Sequence, residues 1–472
     1  MAFGRLVLLS DDEIASIHET SLKILQQIGI KVLSKKIQNL LAENGAKIDA
    51  ASSIVKIPSS LVEEAIGEAP KEIVLCGRNP KFDLKLPSKD FTFVATSGYA
   101  TFMKDLETGE RRMTKTRDLR DFAILADYLD EVDFFDSIVA PTELPPPVQT
   151  VHSLAVSFEC TEKHVLNRAL NEKQAKWQIK LASAVIGDEQ KLRKRPIFCS
   201  VNCPVSPLLF EEGSSEAMIE LARAGIPVVP MSMALCGSTG PATIAGTLAL
   251  VNAENLAALA ILQCSNSGAP MIYCAESTSA NMRTGDINYQ APELPLIAAG
   301  ATQMARLYKL PCYTTSIGMD ETPNDWESLI GASERFALIQ LGRGDISAGL
   351  GSLENAKSSA LEQVILDVEA WEHAKAYLRR FKVDEEALGF DAISKVGPGG
   401  SFLGLKHTLE HFQEEIWLKK ELTILSSTGG SLIERAKEKV KEILSTHVPP
   451  KLEEDIRREI NHILRNCEKN ML

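Results

Sequence analysis

Between residues 117 and 400, short apolar runs alternate with longer stretches that have the period of an α-helix. The runs are mostly uncharged, as is typical of strands buried in a parallel sheet. An eighth strand is predicted near residues 389–397. Parallel strands joined by helices predict an α/β fold. The other seven predicted strands cover residues 134–140, 163–169, 197–203, 228–234, 271–277, 312–318 and 345–351.

Seven or eight strand–helix units over about 280 residues fit a TIM (β/α)8 barrel better than an open doubly wound sheet. The open sheet stays an alternative, because hydrophobic periodicity does not show whether a sheet closes. In a barrel, the residues that follow the strands meet at one rim, and that rim carries the functional site.

The flanking segments have different patterns. Residues 1–70 predict an N-terminal helical segment, with apolar residues such as Ile14 and Ile17 at helical spacing. Residues 71–116 alternate in the manner of antiparallel strands and predict a small β insertion. Residues 401–472 have helical spacing with many i,i+4 charge pairs, which predicts a C-terminal helical extension packed on the barrel.

Composition and charge narrow the classes of function. The formal net charge of −12 argues against nucleic-acid binding, since no basic stripe is present to neutralise phosphates. The nine cysteines are odd in number and no secretory signal opens the chain, so we expect a reduced, cytoplasmic protein without a membrane span. Cys199 and Cys203 would lie roughly 13 Å apart along a strand, too far to ligate one zinc ion, and no metal site is predicted.

The predicted rim is polar but has few catalytic acids and bases. His407 and His411 lie one helical turn apart, which resembles half of a metal site, although a solvated or capping pair is the simpler interpretation. The polar candidates lie at the carboxyl-terminal ends of predicted strands or in nearby turns: Asn167, Arg168, Asn202, Glu276, Arg283 and Glu354. The aromatic candidates would suit a cationic ligand, or would pack in the core or in a lid: Tyr99, Tyr289, Tyr313 and Trp326.

Several segments together resemble the trimethylamine methyltransferase family. They occur in family order over nearly the whole chain, and they include GYATFMKDLETGERR, LCGSTGPATIAGTLALVNAENLAAL, AESTSANMRTG, SLENAKSSALEQVILDVEAWE and VGPGGSFLGLKHTLEHFQEEIW. The resemblance implies a TIM barrel that moves a methyl group from an amine to the cobalt corrinoid of a separate protein. It implies that this chain binds no cofactor of its own, and that it forms a homo-oligomer.

The founding members of that family use pyrrolysine near the end of the strand that precedes the SLEN-like stretch. This chain has no pyrrolysine, and Gly351 or a neighbour stands at the corresponding position. Family members without pyrrolysine act on quaternary amines such as glycine betaine, proline betaine or carnitine, so the resemblance implies a quaternary-amine:corrinoid methyltransferase. A quaternary amine leaves as a neutral tertiary amine without a general acid, which suits a rim that has no obvious acid–base pair.

The expected roles follow from this chemistry. The carboxylate of a betaine needs a partner, and Arg168, Arg283, His407 or the backbone of the 398–401 turn are the alternatives. Glu276 either orients the ammonium group from a distance or pairs with Arg283.

The resemblance completes the list of expected site residues. Gly351 and Glu354 join Glu276 as expected catalytic positions, and Tyr99, Asn167, Asn202, Tyr289 and Trp326 are expected to bind substrate. Two other functions remain open. One is a lyase or aldolase, which would need a metal at the rim or a Schiff-base lysine, for which Lys357 and Lys395 lie nearby. The other is a protein that binds betaines without catalysis, or a structural partner.

Overall fold

The computed structural model describes residues 4–319, 326–415 and 430–472. It contains eight parallel strands, each followed by a helix. The strands are β1 (Phe93–Thr96), β2 (Phe135–Asp136), β3 (Val165–Arg168), β4 (Phe198–Val201), β5 (Val228–Val229), β6 (Tyr273–Cys274), β7 (Cys312–Ser316) and β8 (Ile346–Leu350). The helices are α1 (Thr116–Tyr128), α2 (Pro146–Cys160), α3 (Glu172–Ile186), α4 (Glu212–Ala224), α5 (Ile244–Ser265), α6 (Glu293–Leu307), α7 (Trp326–Leu341) and α8 (Leu361–Tyr377).

The strand pairing closes the barrel. Ile346 of β8 pairs in parallel with Phe93 of β1, and Ala95 of β1 makes a parallel bridge to Phe134, directly before β2. A similar bridge joins the segments of β5 and β6, and the other neighbours pair in chain order. The predicted TIM barrel is therefore confirmed, and the alternative of an open sheet is wrong.

The eighth strand is not where the sequence predicted it. Residues 389–397 contain the helix Phe390–Val396, whereas the missing strand is β1, inside the segment 71–116 that was predicted as a β insertion. Residues 94–96 are fully buried, as a barrel strand should be. The sequence of this short strand resembles those of the neighbouring hairpin strands. Only its pairing with β8 identifies it as a strand of the barrel. The rest of that segment does form antiparallel hairpins, made by Ile73–Leu75 with Leu84–Leu86 and by Phe102–Lys104 with Arg111–Met113.

Apolar side chains fill the inside of the barrel. They include Ala95, Phe134, Leu166, Cys199, Val201, Ile272, Cys274, Tyr313, Ile346 and Ala348. Side chains alternate along a strand, so the residue two positions after an inward-facing core residue also faces inward, one layer nearer the carboxyl-terminal mouth. This alternation places Asp136, Arg168 and Glu276 in the mouth, because each lies two residues after a member of the cluster.

The N-terminal segment covers one side of the barrel. Its helices Asp11–Lys23 and Ser59–Glu68 pack on α5. Helix α5 is long and apolar enough to cross a membrane, but 83% of its apolar window is buried inside the protein, as expected of a core helix. The N-terminal segment also contains the helix Lys35–Glu43. Its strands Ile30–Val32, Lys47–Asp49 and Ile54–Lys56 form a sheet with Leu209–Phe210.

The residues of the C-terminal segment that the structure describes, 401–415 and 430–472, form mainly helices. Leu432–Thr446 packs on α1 and α8, and Glu454–Met471 packs on α2 and α3. Shorter helices that precede them in the described residues are Glu385–Leu388, Phe390–Val396 and Lys406–Glu415. All nine cysteines are free thiols. The cytoplasmic location stays a prediction.

Candidate active site

A buried ion pair lies in the barrel mouth. Arg168, the last residue of β3, donates from Nη1 to Oδ1 of Asp136 at 2.7 Å and from Nη2 to Oδ2 at 2.9 Å. Asp136 is the last residue of β2, is fully buried, and also accepts a hydrogen bond from Ser97 Oγ at 2.9 Å. Two parallel bonds between a guanidinium and a carboxylate fix the orientation of both groups. Arg168 is thus a rigidly held cation.

Arg168 keeps hydrogen-bonding capacity for a ligand. A guanidinium has five N–H donors. Two of them reach Asp136, and a third, on Nη1, is directed at the carbonyl of Ser137 at 3.3 Å. The other two, on Nε and Nη2, have no acceptor among the residues that the structure describes. Burial lowers the pKa of Arg168, but the charge and hydrogen bonds of Asp136 raise it above its usual value, so Arg168 stays charged. The ring of Tyr99 lies 5.1 Å from its guanidinium carbon.

Glu276 supplies a second carboxylate to the mouth. It follows β6, is 2% exposed, and donates its backbone N–H to the carbonyl of Ser232 at 2.9 Å. Cys203 is open to solvent in the mouth, yet it lies deep enough for burial to raise the pKa of its thiol to about 11, with Arg168 lowering that pKa and Glu276 raising it. The thiol is therefore protonated at neutral pH. Asp136, Arg168 and Glu276 together carry a formal charge of −1.

A buried glutamate on α5 positions the loops after β4 and β5. Glu254 is fully buried and accepts hydrogen bonds from Ser206 Oγ at 2.8 Å, from the N–H of Leu208 at 2.9 Å and from Ser232 Oγ. Burial raises its pKa, while these hydrogen bonds lower it, and the net shift is upward. Since the carbonyl of Ser232 holds the N–H of Glu276, Glu254 acts on the mouth through the backbone.

The turn after β8 has no room for a side chain at Gly351. Gly351 has φ +85° and donates its N–H to Oδ2 of Asp367 on α8 at 2.8 Å. A Cβ atom at this position would lie 2.6 Å from a methyl of Val364 and 3.1 Å from one of Ile138. Any contribution of Gly351 to the site is therefore made by its backbone. Its catalytic role stays a prediction.

We expect Gly351→Ala to lower the free energy of unfolding by about 2–4 kcal/mol, since it adds a steric clash to the cost of a left-handed alanine. Gly268→Ala is the matched control, because Gly268 has φ +79° with no atom within 4 Å of its added Cβ. The control should lose only about 1–2 kcal/mol. Denaturant unfolding of both variants tests this, and equal losses would contradict the clash.

Asp367 should make stability depend on pH. Burial raises its pKa to about 7, against the opposing effects of the Gly351 N–H, Gln363 Nε2 at 2.7 Å and the charge of Arg335. Between the unfolded pKa, about 3.9, and this folded value, the native state binds more protons than the unfolded state. Stability therefore falls as pH rises through this window, by at most about 4 kcal/mol. We expect Asp367→Asn to remove this slope, so the melting temperature of the variant relative to wild type rises from pH 5 to pH 7.5. A gap that is independent of pH would contradict it.

Two predicted residues face away from the ion pair. Asn167 donates to the carbonyl of Thr150 on α2 at 2.9 Å, on the helix side of the barrel wall. Asn202 donates to the carbonyl of Ala169 at 2.8 Å and accepts from Ser200 Oγ at 2.9 Å, so its side chain braces the loops after β3 and β4. Asn202 is thus bonded within the protein through both its amide nitrogen and its amide oxygen, whereas the buried Oδ1 of Asn167 has no hydrogen-bond partner among the described residues.

Two others lie on a hairpin that extends from the end of β6. The hairpin pairs Thr278–Ala280 with Ile287–Asn288. An ion pair between Glu276 and Arg283 was the alternative prediction from the sequence. Arg283 is exposed in the turn of the hairpin, whereas Glu276 is buried, and this placement does not support that ion pair. Tyr289 is 5% exposed and belongs to the apolar cluster that includes the loops after β7 and β8.

Of the remaining candidates, Glu354 and His407 contact residues other than Asp136 and Arg168, and the side chain of Trp326 lies outside the described residues. Glu354 forms a half-exposed ion pair with Arg111 at 3.0 Å and is the first of three successive residues with positive φ. Trp326 begins α7, but its side chain lies outside the described residues. His407 contacts His411 in the C-terminal segment, with ring centroids 4.5 Å apart and ring planes tilted by 50°. The structure therefore does not bring His407 to the ion pair.

Comparison with known proteins finds similarity to methyltransferases over nearly the whole chain. A sequence profile described as Trimethylamine methyltransferase (MTTB) matches residues 2–471. The trimethylamine methyltransferase MttB of Desulfitobacterium hafniense (strain DSM 10664 / DCB-2) is 34% identical over 468 residues, which cover 97% of this chain and 93% of that protein. The glycine betaine methyltransferase of Desulfitobacterium hafniense (strain Y51) is 29% identical over 458 residues, covering 95% and 94%.

A solved structure supports the fold. The crystal structure of the Methanosarcina barkeri monomethylamine methyltransferase (MtmB) superposes with a TM-score of 0.53 at 12% identity, covering 97% of this chain and 92% of that one. Because the profile and the relatives match nearly the whole chain, this protein belongs to the trimethylamine methyltransferase (MTTB) family.

Proposed function

We propose that this protein transfers a methyl group from a betaine-type quaternary amine, such as glycine betaine, proline betaine or carnitine, to the Co(I) corrinoid of a separate corrinoid protein. One observation carries the proposal: the mouth holds a fixed cation, Arg168, with two unused N–H donors, together with a second carboxylate, Glu276. Charges of both signs match a zwitterion that has a cationic end and an anionic end.

Arg168 is the best-supported partner of the substrate carboxylate. Its bonds to Asp136 hold the guanidinium in one orientation before substrate arrives, so little conformational entropy is lost on binding. Arg283 is exposed and His407 lies in the C-terminal segment, so neither supports the proposal equally well. Glu276 then faces the ammonium end, and Tyr99 offers an aromatic face beside Arg168.

The reaction needs no proton transfer. The C–N bond breaks and its electron pair stays on nitrogen, which leaves as a neutral tertiary amine. Co(I) supplies the electron pair of the new Co–C bond and becomes methyl-Co(III). The protein must align the methyl group with cobalt and exclude competing nucleophiles. A Cys203 thiol with a pKa of about 11 is protonated at neutral pH and does not compete for the methyl group as a thiolate would.

A tertiary amine fits this chain less well than a quaternary one. The sequence has no pyrrolysine, and the position aligned with it lies in a turn where a Cβ atom would meet Val364. The relatives' names include both trimethylamine and glycine betaine methyltransferases. The preference for quaternary amines therefore rests on the residues of this chain.

The test is a coupled assay with a reduced corrinoid protein, followed by methyl-cobalt absorbance. The panel contains glycine betaine, proline betaine, carnitine, tetramethylammonium and trimethylamine. We expect turnover of at least one betaine, with tetramethylammonium slower because it has no carboxylate. Turnover of trimethylamine alone would overturn the proposal, and betaine binding without methyl-cobalt would favour a non-catalytic binding protein.

The two lysines named for the lyase or aldolase alternative do not support it. Lys357 is exposed and paired with Asp286 at 3.2 Å, and Lys395 is on the exterior helix Phe390–Val396, which has no buried residue. Neither is a buried lysine of the kind that Schiff-base chemistry uses.

A further inference from the structure

A basic cleft lies at the amino-terminal end of the barrel. It has a volume of about 630 Å³, and seven of its fifteen lining residues are basic, whereas two are acidic. Most of them belong to the loops that precede β1, β7 and β8, so the cleft is at the opposite end from the mouth. Because the whole chain carries −12, this positive charge is a local feature. Six of the basic residues are Arg5, Lys71, Lys89, Arg306, Lys309 and Arg343.

The carboxylates of the protein do not neutralise this cleft. Arg306 pairs with Asp345 at 2.7 Å, and Arg380, the seventh basic residue, pairs with Asp90 at 3.0 Å. Four other cations form no ion pair within the part of the chain that the structure describes: Arg5, Lys71, Lys89 and Lys309. The cleft therefore attracts anions from solution.

The cations are close enough to repel one another. Burial lowers the pKa of Arg343, and the charge of Arg380 lowers it further, against the opposing effect of Asp90. Burial also lowers the pKa of Lys71, and the charge of Lys309 adds to that effect. A bound anion would remove this repulsion, and perturbed groups that gather in a cleft are typical of a binding site.

Several of the cations are held in place before any ligand arrives. Arg306 donates to both carboxylate oxygens of Asp345, at 2.7 and 3.2 Å. Arg343 donates from Nε and Nη2 to the carbonyl of Gly4, at 3.2 and 3.0 Å, and Lys71 also donates to backbone carbonyls. Fixed cations that converge on a concave cavity suit a small anion, since an extended polyanion would need a stripe of charge along the surface.

The cleft has the size and the donors for a chain of phosphate groups. Its volume lies within the range of small-molecule sites. Arginine binds phosphate oxygens through two parallel hydrogen bonds, and lysine binds them as a point charge. The half-buried Phe91 also lines a neighbouring cavity of about 420 Å³. Its ring offers a surface on which the base of a nucleotide can stack.

We propose that this cleft binds a small polyphosphate anion, either free or as the phosphate chain of a nucleotide. The site does not depend on the proposed methyl transfer, because it lies at the other end of the barrel. A bound anion joins the loops that precede β1, β7 and β8, and it stabilises the folded protein by mass action.

Titration calorimetry of the full-length protein with inorganic triphosphate, at low ionic strength and without divalent cations, tests the site. We expect wild type to bind one triphosphate per chain. The double variant Lys89→Gln/Lys309→Gln should bind at least about tenfold more weakly, because two charges near the anion are lost. The matched control is Lys31→Gln/Lys47→Gln, which removes the same charge from two exposed lysines outside the cleft and should bind as wild type. All four lysines are exposed, and thermal unfolding without ligand checks that both variants are folded.

Two further ligands identify the source of the phosphate groups. Affinity for ATP above that for triphosphate would assign the site to a nucleotide, and equal or lower affinity would assign it to free polyphosphate. Citrate supplies several negative charges without phosphate and should bind more weakly than triphosphate. Amide hydrogen exchange should slow in residues 86–92 and 342–345 when triphosphate is added, because the anion holds these loops. Absence of saturable binding at millimolar triphosphate, equal affinity for citrate, equal losses in the two lysine variants, or protection at the mouth instead would each overturn the proposal.

Discussion

Replacement of Arg168 by methionine is expected to lower kcat/KM for glycine betaine by about 100-fold or more, because the substrate carboxylate loses a charge-assisted bidentate partner. The same change leaves the fully buried Asp136 without its counter-ion, and removal of one partner of a buried pair costs about 3–5 kcal/mol of stability. Coupled kinetics and thermal unfolding measure the two effects on the same preparation.

Arg306 provides the matched control. It pairs with the fully buried Asp345 at 2.7 Å, at the opposite end of the barrel. Arg306→Met should therefore reduce stability by a similar amount, while the folded enzyme keeps its KM. Tetramethylammonium supplies a second contrast, since a substrate without a carboxylate should lose little when Arg168 is changed. Equal loss of activity in both variants would reduce the role of Arg168 to stability.

The barrel could be predicted because seven of its strands have a local signal. An apolar run directly before a helix identifies each of these buried strands. The first strand is instead followed by the hairpin of Phe102–Lys104 and Arg111–Met113, and it stands among short hairpin strands, so its sequence resembles theirs. Its assignment depends on pairing with β8, about 250 residues later along the chain, and local periodicity does not contain that information.

The sequence predicted some residues of the candidate site and missed others, because the site, too, depends on how the strands are oriented in the sheet. Arg168 and Glu276 were found because they lie near the carboxyl-terminal ends of predicted strands. Asn167 was placed with them, since one sequence does not show which side of a strand faces inward. Asp136 was missed although it is a charge inside an apolar run, FFDSIVA, and such a charge signals a buried partner. Glu254, the one charge within the apolar helix α5, carried the same signal.

Glu276→Gln is expected to raise KM for a betaine by about 10–100-fold without lowering kcat in single-turnover assays. A carboxylate beside a permanent cation stabilises the bound substrate, and at a partly buried site this attraction amounts to a few kcal/mol. The positive charge on nitrogen decreases as the C–N bond breaks, so the attraction is weaker in the transition state than in the ground state. Loss of the carboxylate should therefore weaken binding more than it slows transfer.

Glu276→Asp separates charge from shape. It keeps the carboxylate and withdraws it by one methylene, whereas glutamine keeps the length and removes the charge. If the charge acts at a distance, the aspartate variant should raise KM by only a few-fold. A fall in kcat with an unchanged KM in the glutamine variant would instead assign Glu276 to the transition state. Unchanged values of both would remove it from the site, and the mouth would then bind the ammonium group through other side chains, with Arg168 still holding the carboxylate.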